Sequence, residues 1–266
     1  MTGANAGIGK EITAGLAARG ARVLMVCRHR GRGDAALYEL RERIPGADLE
    51  LVLADLSRLS SVRALVGEVE RRTDRLDVLV SNAGVFHARR RVTGDGFEET
   101  FAVNHLAPFV LTRGLLGLLR RSAPARVVVV ASAAHYRGTI AFDDLQLERN
   151  YGGWRAYCQS KLANVLFAAE LARRLPAADV TVNSVHPGTV ATKLLLRGIV
   201  PKWLARPFTR TPEQGARTPL YVAAEPELAG VTGRYFDDRR PKQPSSEAQD
   251  EDVAARLWAA SEVLAN

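Results

Sequence analysis

The sequence has few cysteines, few aromatic residues and no long apolar run. Its 266 residues contain two cysteines, Cys27 and Cys158, so no disulfide framework is required and a cysteine-rich zinc site is excluded. The five histidines never fall at metal-ligand spacing, and we therefore predict no metal site. No apolar run approaches the roughly 20 residues of a membrane-spanning helix. Residues 1–20 also lack the apolar core of a signal peptide.

The chain carries a positive net charge of +8, from 37 Lys and Arg against 29 Asp and Glu. Such a surplus would suit a nucleic acid or an anionic membrane surface as partner. The basic residues, however, occur in small groups separated by acidic ones, and the aromatic residues form no stacking series. We therefore favour a solvated basic surface with one anion pocket and predict no nucleic-acid partner. Association with DNA or RNA that depends steeply on salt would contradict this interpretation.

Short apolar segments alternate with segments of helical periodicity along most of the chain. The predicted strands are β-branched and apolar throughout, which is typical of a parallel sheet covered on both faces; they span residues 21–28, 49–56, 76–81, 126–132 and 180–185. The predicted helices span residues 10–19, 61–72 and 154–175. This alternation predicts one α/β domain over residues 1–266, a Rossmann-like doubly wound parallel sheet in a three-layer αβα sandwich.

Residues 191–212 interrupt this alternation, with three prolines among apolar residues. We interpret the segment as an inserted substrate loop; the alternative is a packed surface loop.

A glycine-rich turn, TGANAGIG at residues 2–9, leads directly into the first predicted helix. Glycines permit a tight turn, and the free N–H groups at a helix start attract phosphate oxygens. The turn is not a Walker A loop, because Glu11 stands where Ser or Thr must bind magnesium and Ala4 replaces the first glycine. A purely structural turn remains the alternative, so a second signal is needed.

The end of the predicted strand at residues 21–28 supplies that signal. The strand ends at Cys27 and Arg28, and the next acidic residue is Asp34. An acidic residue at this position would bind the ribose hydroxyls of NAD, whereas a guanidinium binds the 2′-phosphate of NADP with two hydrogen bonds. The sequence therefore favours NADP(H), with a solvated arginine as the alternative.

Three polar residues form a candidate catalytic group. Ser132 ends a predicted strand, at the sheet edge where α/β proteins bind ligands. Tyr157 and Lys161 are four residues apart, on the same face of a predicted helix. We expect the Lys161 ammonium, together with the positive charge of an oxidised nicotinamide, to lower the pKa of the phenol, so that Tyr157 exchanges a proton while Ser132 orients the substrate oxygen. A chance pair on a solvated helix is the alternative. Serine hydrolysis is disfavoured, because no G-x-S-x-G motif occurs and His135 lacks an evident orienting acid.

In combination these motifs resemble the short-chain dehydrogenase/reductase superfamily over almost the whole chain. The turn at residues 2–9 matches T-G-x-x-x-G-x-G, and residues 81–84 match N-N-A-G except at Ser81. The resemblance implies that Asn104 completes a catalytic tetrad with Ser132, Tyr157 and Lys161 and supports a water molecule beside the lysine. Together with Arg28, the implied cofactor-binding residues are Gly3, Asn5, Gly7, Ile8, Gly9, Asp55, Leu56, Asn82, Ala83, Gly84, Tyr157, Lys161, Pro187, Gly188, Val190 and Thr192.

Three further segments resemble the retinol dehydrogenase branch (types 11 to 14, and the related dehydrogenase/reductase member 13): SKLANVLF at 160–167, VHPG at 185–188 and GRYF at 233–236. This resemblance implies an NADP(H)-dependent enzyme acting on a lipophilic alcohol or carbonyl compound, with retinol and retinal as leading candidates. It is compatible with a homo-oligomer. It also suggests an intracellular protein, soluble as given, whose full-length form associates with the endoplasmic reticulum membrane.

The glycine-rich turn should follow a strand at the centre of the sheet, yet only Met1 precedes Thr2. We therefore expect a fold that lacks its first strand, in an N-terminally incomplete version of a longer protein. This expectation defines the alternative function, a truncated, non-catalytic dehydrogenase-like binding protein.

Overall fold

The computed structural model describes residues 1–188 and 210–266. Its strands are β1 (Val23–Cys27), β2 (Leu49–Leu53), β3 (Val78–Ser81), β4 (Ala125–Val130), β5 (Val180–His186), β6 (Tyr235–Asp237) and β7 (Arg240–Lys242). Its α-helices are α1 (Gly7–Ala17), α2 (Arg30–Arg43), α3 (Leu59–Arg72), α4 (Glu99–Phe101), α5 (Ala107–Gly114), α6 (Leu116–Arg121), α7 (Gly153–Arg173), α8 (Pro212–Ala224) and α9 (Glu251–Ala265). A π-helical turn, Ala102–Leu106, joins α4 to α5.

The strands form two parallel groups with one antiparallel edge. β1 pairs with β2, and the second group has the order β3-β4-β5-β6-β7, in which only the β6–β7 pair is antiparallel. Met1–Gly3 lie between the groups: the Val26 N–H donates to Met1 O at 2.9 Å and the Thr2 N–H donates to Val80 O at 3.0 Å. Met1–Gly3 therefore occupy the central position of the sheet, where a first strand is expected. Because β1 and β3 flank this position, the carboxyl ends of both strands face the glycine-rich turn.

Helices cover both faces of the sheet. Because successive strand residues point to opposite faces, Val26, Val127 and Val129 pack against α3, α5, α7 and α9, whereas Met25 and Val128 pack against α1, α2 and α8. The predicted three-layer αβα architecture is therefore confirmed.

The predicted elements agree with the structure to within three residues at every end. One difference affects the site: β4 ends at Val130, so Ser132 lies beyond the strand and caps a short 3₁₀ helix, Ala133–Arg137. Most of the predicted insertion at 191–212 lies outside the described residues. Its last three residues are placed, and Thr211 and Pro212 begin α8, where Thr211 accepts from the Gln214 N–H in a capping box. No helix among residues 1–188 and 210–266 combines the length and apolar character needed to cross a bilayer.

Candidate active site and cofactor cleft

The glycine-rich turn brings the start of α1 against the end of β3. Gly3 and Gly7 have φ of 66° and 54°, a left-handed conformation that favours glycine. A Cβ on Gly9 would lie 2.1 Å from Gly3 O, so this position admits no side chain without a backbone shift. Ala6, the N-cap, has no side chain that could bind the first N–H groups of α1. The start of the helix therefore offers these N–H groups to an anion.

Asn82 secures this turn rather than lining a cavity. Its Nδ2 donates to Thr2 O at 3.0 Å, and its backbone N–H donates to Thr2 Oγ1 at 3.0 Å. The predicted residue is thus close to the expected cofactor position, but the structure uses its side chain to attach the turn to the end of β3.

A cavity of about 170 Å³ opens at the carboxyl ends of β1, β2 and β3. Seven predicted cofactor residues line it: Gly3, Asn5, Arg28, Asp55, Leu56, Ala83 and Gly84. His29, Arg32, Ser57 and Val103 line it as well, although we did not predict them as cofactor residues. The segment Arg28–Arg32 carries the signal that could have identified His29 and Arg32, since it follows the strand end directly.

Two polar residues of this cavity differ in how they are restrained. Asp55 Oδ1 accepts from the Ser57 N–H at 3.0 Å and from Ser57 Oγ at 2.8 Å, so the carboxylate orientation is fixed. Within residues 1–188 and 210–266 the exposed Arg28 side chain makes one hydrogen bond, from Nε to His29 Nε2 at 3.2 Å. The rest of its guanidinium is available to a ligand.

Ser132 and Tyr157 meet at the carboxyl edge of the sheet. Tyr157 lies in the first turns of α7 and is 8% exposed, and the Ser132 side chain is close enough to the phenol to act against the rise of its pKa. Ser132 Oγ also accepts from the Ala134 N–H at 3.2 Å, because Ser132 caps the 3₁₀ helix. The two residues that the sequence predicts to act together are therefore close in space, with Tyr157 buried and Ser132 partly exposed.

Lys161 is close to the phenol but does not lower its pKa. Its Nζ lies 5.7 Å from the centre of the Tyr157 ring and donates to Val130 O at 2.9 Å. Burial raises the pKa of Tyr157 to about 12, and the hydrogen bond with Ser132 opposes this rise. Burial also lowers the pKa of Lys161 to about 8. Desolvation thus outweighs the distant ammonium in the protein without a cofactor, and a lowered pKa beside the positive charge of an oxidised nicotinamide stays a prediction.

The Asn104 side chain connects three elements of the fold by hydrogen bonds. It sits in the π-helical turn, where its Oδ1 accepts from the Val85 N–H at 2.7 Å. Its Nδ2 donates to Val85 O at 3.1 Å and to Ser160 Oγ at 3.0 Å. The side chain therefore ties the segment after β3 to α7, beside Lys161.

Two aromatic side chains flank the Tyr157 phenol. The Phe86 ring meets the Tyr157 ring edge-on with centroids 6.0 Å apart. The Trp154 indole stacks near the same ring at 5.9 Å and remains 43% exposed. The sequence interpretation did not identify either residue as part of the site. For Trp154 a signal existed, since it precedes Tyr157 by three residues and so lies one helical turn away.

The remaining predicted cofactor residues lie in α1 and in the segment that follows β5. Gly7, Ile8 and Gly9 form the first turn of α1, and Pro187 and Gly188 follow β5. Val190 and Thr192 lie outside the described residues.

The residues present fit a nicotinamide dinucleotide. The open start of α1 suits its pyrophosphate, and the cavity beside Asp55 and Arg28 suits its adenosine half. A Cβ on Gly84 would lie 3.3 Å from Asn104 Oδ1 and 3.6 Å from Lys161 Nζ, so the missing side chain leaves the surface beside the lysine accessible. Gly84 therefore belongs both to this cavity and to the surface beside Lys161.

A parallel Rossmann-like sheet, a glycine-rich turn that opens onto the start of a helix and a Ser132–Tyr157–Lys161 group are typical of an oxidoreductase that uses a nicotinamide cofactor. The chain belongs to the short chain dehydrogenase family, whose sequence profile matches residues 1–197. It is 46% identical to retinol dehydrogenase 14 of Mus musculus over 99% of this chain and 84% of that protein. It is 45% identical to dehydrogenase/reductase SDR family member 13 of Homo sapiens, over 100% of this chain and 72% of that protein. These relatives confirm the predicted retinol dehydrogenase branch.

Solved structures show the same fold. An uncharacterised protein of Mycobacterium paratuberculosis superimposes with a TM-score of 0.80 at 36% identity, over 99% of this chain and 91% of that one. The Pseudomonas aeruginosa RhlG/NADP active-site complex superimposes with a TM-score of 0.72 at 28% identity, over 88% and 91% of the two chains.

Proposed function

We propose that the protein is an NADP(H)-dependent oxidoreductase that interconverts a lipophilic alcohol with its aldehyde or ketone, with retinol and retinal as the leading pair. The observation that carries this proposal is the proximity of Ser132, Tyr157 and Lys161 at the carboxyl edge of the sheet, with Lys161 Nζ 5.7 Å from the centre of the Tyr157 ring. This arrangement provides one group that orients a carbonyl oxygen and one that transfers a proton to it.

The chemistry that NADPH supplies when bound is hydride transfer to a carbonyl carbon. Ser132 donates a hydrogen bond to the carbonyl oxygen and fixes its orientation. Tyr157 donates its proton to the same oxygen as negative charge develops there. A phenol with a pKa of about 12 is fully protonated at neutral pH. It is still several units more acidic than water, whose pKa is about 15.7, so proton donation to an alkoxide-like oxygen is favourable.

Lys161 and Asn104 prepare the site for this step. The Lys161 ammonium, fixed by Val130 O, binds the nicotinamide ribose and stabilises negative charge on Tyr157 once its proton has left. Asn104 keeps Gly84 and Val85 at a constant distance from α7 through its contacts with Val85 and Ser160. It also orders a water molecule beside Lys161 through which the proton is replaced.

Arg28 supports NADP(H) rather than NAD(H). Its guanidinium lines the cavity with Arg32 and has one intramolecular contact, so it can bind a 2′-phosphate with two hydrogen bonds. The structure named as an NADP complex of Pseudomonas aeruginosa RhlG is consistent with this choice.

The aromatic frame around Tyr157 supports a lipophilic substrate. Phe86 and the half-exposed Trp154 flank the phenol, so a carbonyl group that reaches Ser132 brings its chain against two apolar rings. A conjugated polyene such as retinal can stack on such rings. The similar proteins named retinol dehydrogenase 14 and 11 agree with this substrate class.

The Tyr157→Phe variant tests the catalytic assignment. We expect it to bind NADPH normally but to reduce all-trans-retinal at least about 100-fold more slowly, because the proton donor is missing. Tyr38→Phe, at an exposed position on α2, is the matched control and should retain full turnover. The measurements are NADPH fluorescence titration and NADPH oxidation with retinal, a steroid ketone and a short-chain aldehyde. Binding of NADPH without turnover of any of these compounds would instead favour the non-catalytic alternative.

The Arg28→Ala variant tests the cofactor assignment. We expect about 10- to 100-fold weaker NADPH binding and unchanged NADH binding, because two charge-assisted hydrogen bonds to the 2′-phosphate are lost. Arg30→Ala, at an exposed position two residues away, should leave both affinities unchanged. Equal losses for NADPH and NADH would show that Arg28 does not read the 2′-phosphate.

A further inference from the structure

Two buried imidazoles contact the short turn that carries Ser132. His135 Nδ1 lies 2.7 Å from Ser132 O, and the same oxygen accepts from the His135 backbone N–H at 3.1 Å. On the other side, the Ala133 N–H donates to His186 Nδ1 at 3.2 Å. The peptide group that joins Ser132 to Ala133 is therefore bound at both ends, at its carbonyl and at its N–H, by different histidines.

These contacts fix the tautomer of each ring. The Ser245 N–H donates to His135 Nε2 at 3.2 Å, so the proton of this ring is on Nδ1 and is donated to Ser132 O. His186 Nδ1 accepts a hydrogen bond from the Ala133 N–H, so the proton of this ring is on Nε2. Both roles need a neutral ring. Burial lowers the pKa of both rings, that of His186 to about 4, against the opposing effect of Asp237.

The two rings are attached to different parts of the fold. His186 is the last residue of β5 and pairs in register with Asp237 of β6. His135 is fixed through Ser245, and its neighbour Tyr136 donates from its hydroxyl to Gln243 O at 2.6 Å. The turn at Ser132 is thus bound on one side to the sheet and on the other to the segment after β7.

We propose that His135 and His186 are positioning residues that hold the Ser132 peptide, and with it the Ser132 hydroxyl, in the orientation that the reaction needs. The catalytic part of this inference rests on the proposed function, whereas the structural part does not. The Ser132 side chain leaves the backbone at Cα, one bond from the carbonyl carbon of the peptide that the histidines bind. Rotation of that peptide therefore moves the hydroxyl away from Tyr157. A misplacement of about 1 Å is sufficient to cost up to about 100-fold in rate.

Amide hydrogen exchange tests the structural part without any substrate. In His186→Leu the Ala133 N–H loses its acceptor, and we expect its exchange to be at least about 10-fold faster. His186→Asn retains an acceptor near the position of Nδ1 and should restore most of the protection. The matched control is Asn183→Leu, which removes two side-chain contacts from the same strand, to Val231 O and to the Arg234 N–H, without touching Ser132. Exchange at Ala133 that is equally fast in His186→Leu and the control, or unchanged in His186→Leu, would overturn the inference.

A double-mutant cycle with Ser132→Ala tests the catalytic part. We expect His186→Leu to lower kcat for retinal reduction about 10-fold in the otherwise native protein and less than about 2-fold in the Ser132→Ala background, since it acts through that hydroxyl. NADPH affinity should not change in either background. An equal loss in both backgrounds would show a general structural role and contradict the proposal.

If His186→Leu does not fold, His135→Asn and His135→Leu give the same comparison from the other side of the turn. Asn can still donate to Ser132 O, whereas Leu cannot, so turnover and protection at residues 133–135 should fall only with Leu. Identical behaviour of the two variants would refute the positioning role. If the exchange results agree with expectation but the native protein reduces no carbonyl compound, the proposed function fails and the structural assignment of the two histidines stands.

Discussion

Two opposing influences act on the pKa of Tyr157, and their balance sets the protonation state of its phenol. Burial raises the pKa of the phenol to about 12, whereas the hydrogen bond from Ser132 stabilises the phenolate. Reduction of a carbonyl needs the protonated phenol, which is present throughout the neutral range. Oxidation of an alcohol needs the phenolate, which burial disfavours. The residue is therefore better prepared as a proton donor than as a proton acceptor.

We predict different pH profiles for the two directions. For alcohol oxidation, kcat/KM should rise about tenfold per pH unit between pH 6 and 9, because the phenolate fraction grows in that proportion below the pKa. Reduction should stay level up to about pH 7 and fall above it, because Lys161 loses its proton around pH 8. Initial rates with retinol and retinal measure both profiles. An oxidation rate that stays constant from pH 6 to 9 would mean that the phenol is already ionised in the complex.

The sequence predicts which side chains lie close together in the site, but it does not predict how burial shifts their pKa values. Helical spacing correctly places Tyr157 beside Lys161, and the strand pattern places Ser132 nearby. The direction of the Tyr157 pKa shift could not be predicted, because desolvation depends on the packing of Phe86 and other distant residues. His186 has no signal in the sequence beyond its place after a strand, since its partner Ala133 is brought close only by the sheet.

Among the elements, the first turn of α1 places the tightest restriction on sequence. Its Gly9 packs against the backbone of Gly3 and the side chain of Asn82, so turn and strand end form one unit. We predict that Gly9→Ala lowers the free energy of unfolding by about 1–3 kcal/mol, because the added methyl group forces a backbone shift. It should also weaken NADPH binding, since the N–H groups of the turn move.

Gly67→Ala is the matched control for this substitution. Gly67 lies in α3, and a Cβ there meets no atom within 4 Å. Replacing a helical glycine with alanine in open space stabilises a helix by about 0.5–1 kcal/mol. Chemical denaturation of the two variants measures both effects. Equal stability of Gly9→Ala and the native protein would show that the turn can relax without loss.

Apolar continuity predicts the central strands well, because strands covered on both faces need apolar residues at every position. It fails where an element buries little. Helix α2 buries only Gly33, Ala36 and Leu40, which is too few for a clear apolar stripe. β6 and β7 have three residues each, and β7 is Arg-Pro-Lys. The π-helical turn at Asn104 is set by the contacts of that side chain with Val85 and Ser160, which no periodicity reveals.

Over the whole molecule, a basic surface encloses an interior that contains neutral histidines. The net charge of +8 is spread over exposed arginines, whereas His105, His135 and His186 are buried. Burial lowers the pKa of all three, because a charged imidazole loses its hydration in the interior. Unfolding exposes these rings to water, where each binds a proton below about pH 6.5. Acid therefore favours the unfolded chain.

His105 allows this effect to be isolated. It lies among Phe101, Phe109 and Phe167, and burial lowers its pKa to about 3. Since the folded-state pKa is the lower one, its contribution to stability is complete above about pH 6.5 and is lost as the pH falls towards 3. Over that window one such histidine removes about 1.4 kcal/mol of unfolding free energy per pH unit.

The His105→Gln variant, which keeps a donor for Ser261 Oγ, tests this contribution. We expect urea denaturation between pH 4 and 7 to give a slope of unfolding free energy against pH that is shallower by that amount. His29→Gln, at an exposed position, should leave the slope unchanged. An equally steep slope in His105→Gln would show that His105 is already protonated in the folded protein, or that its ring is hydrated there.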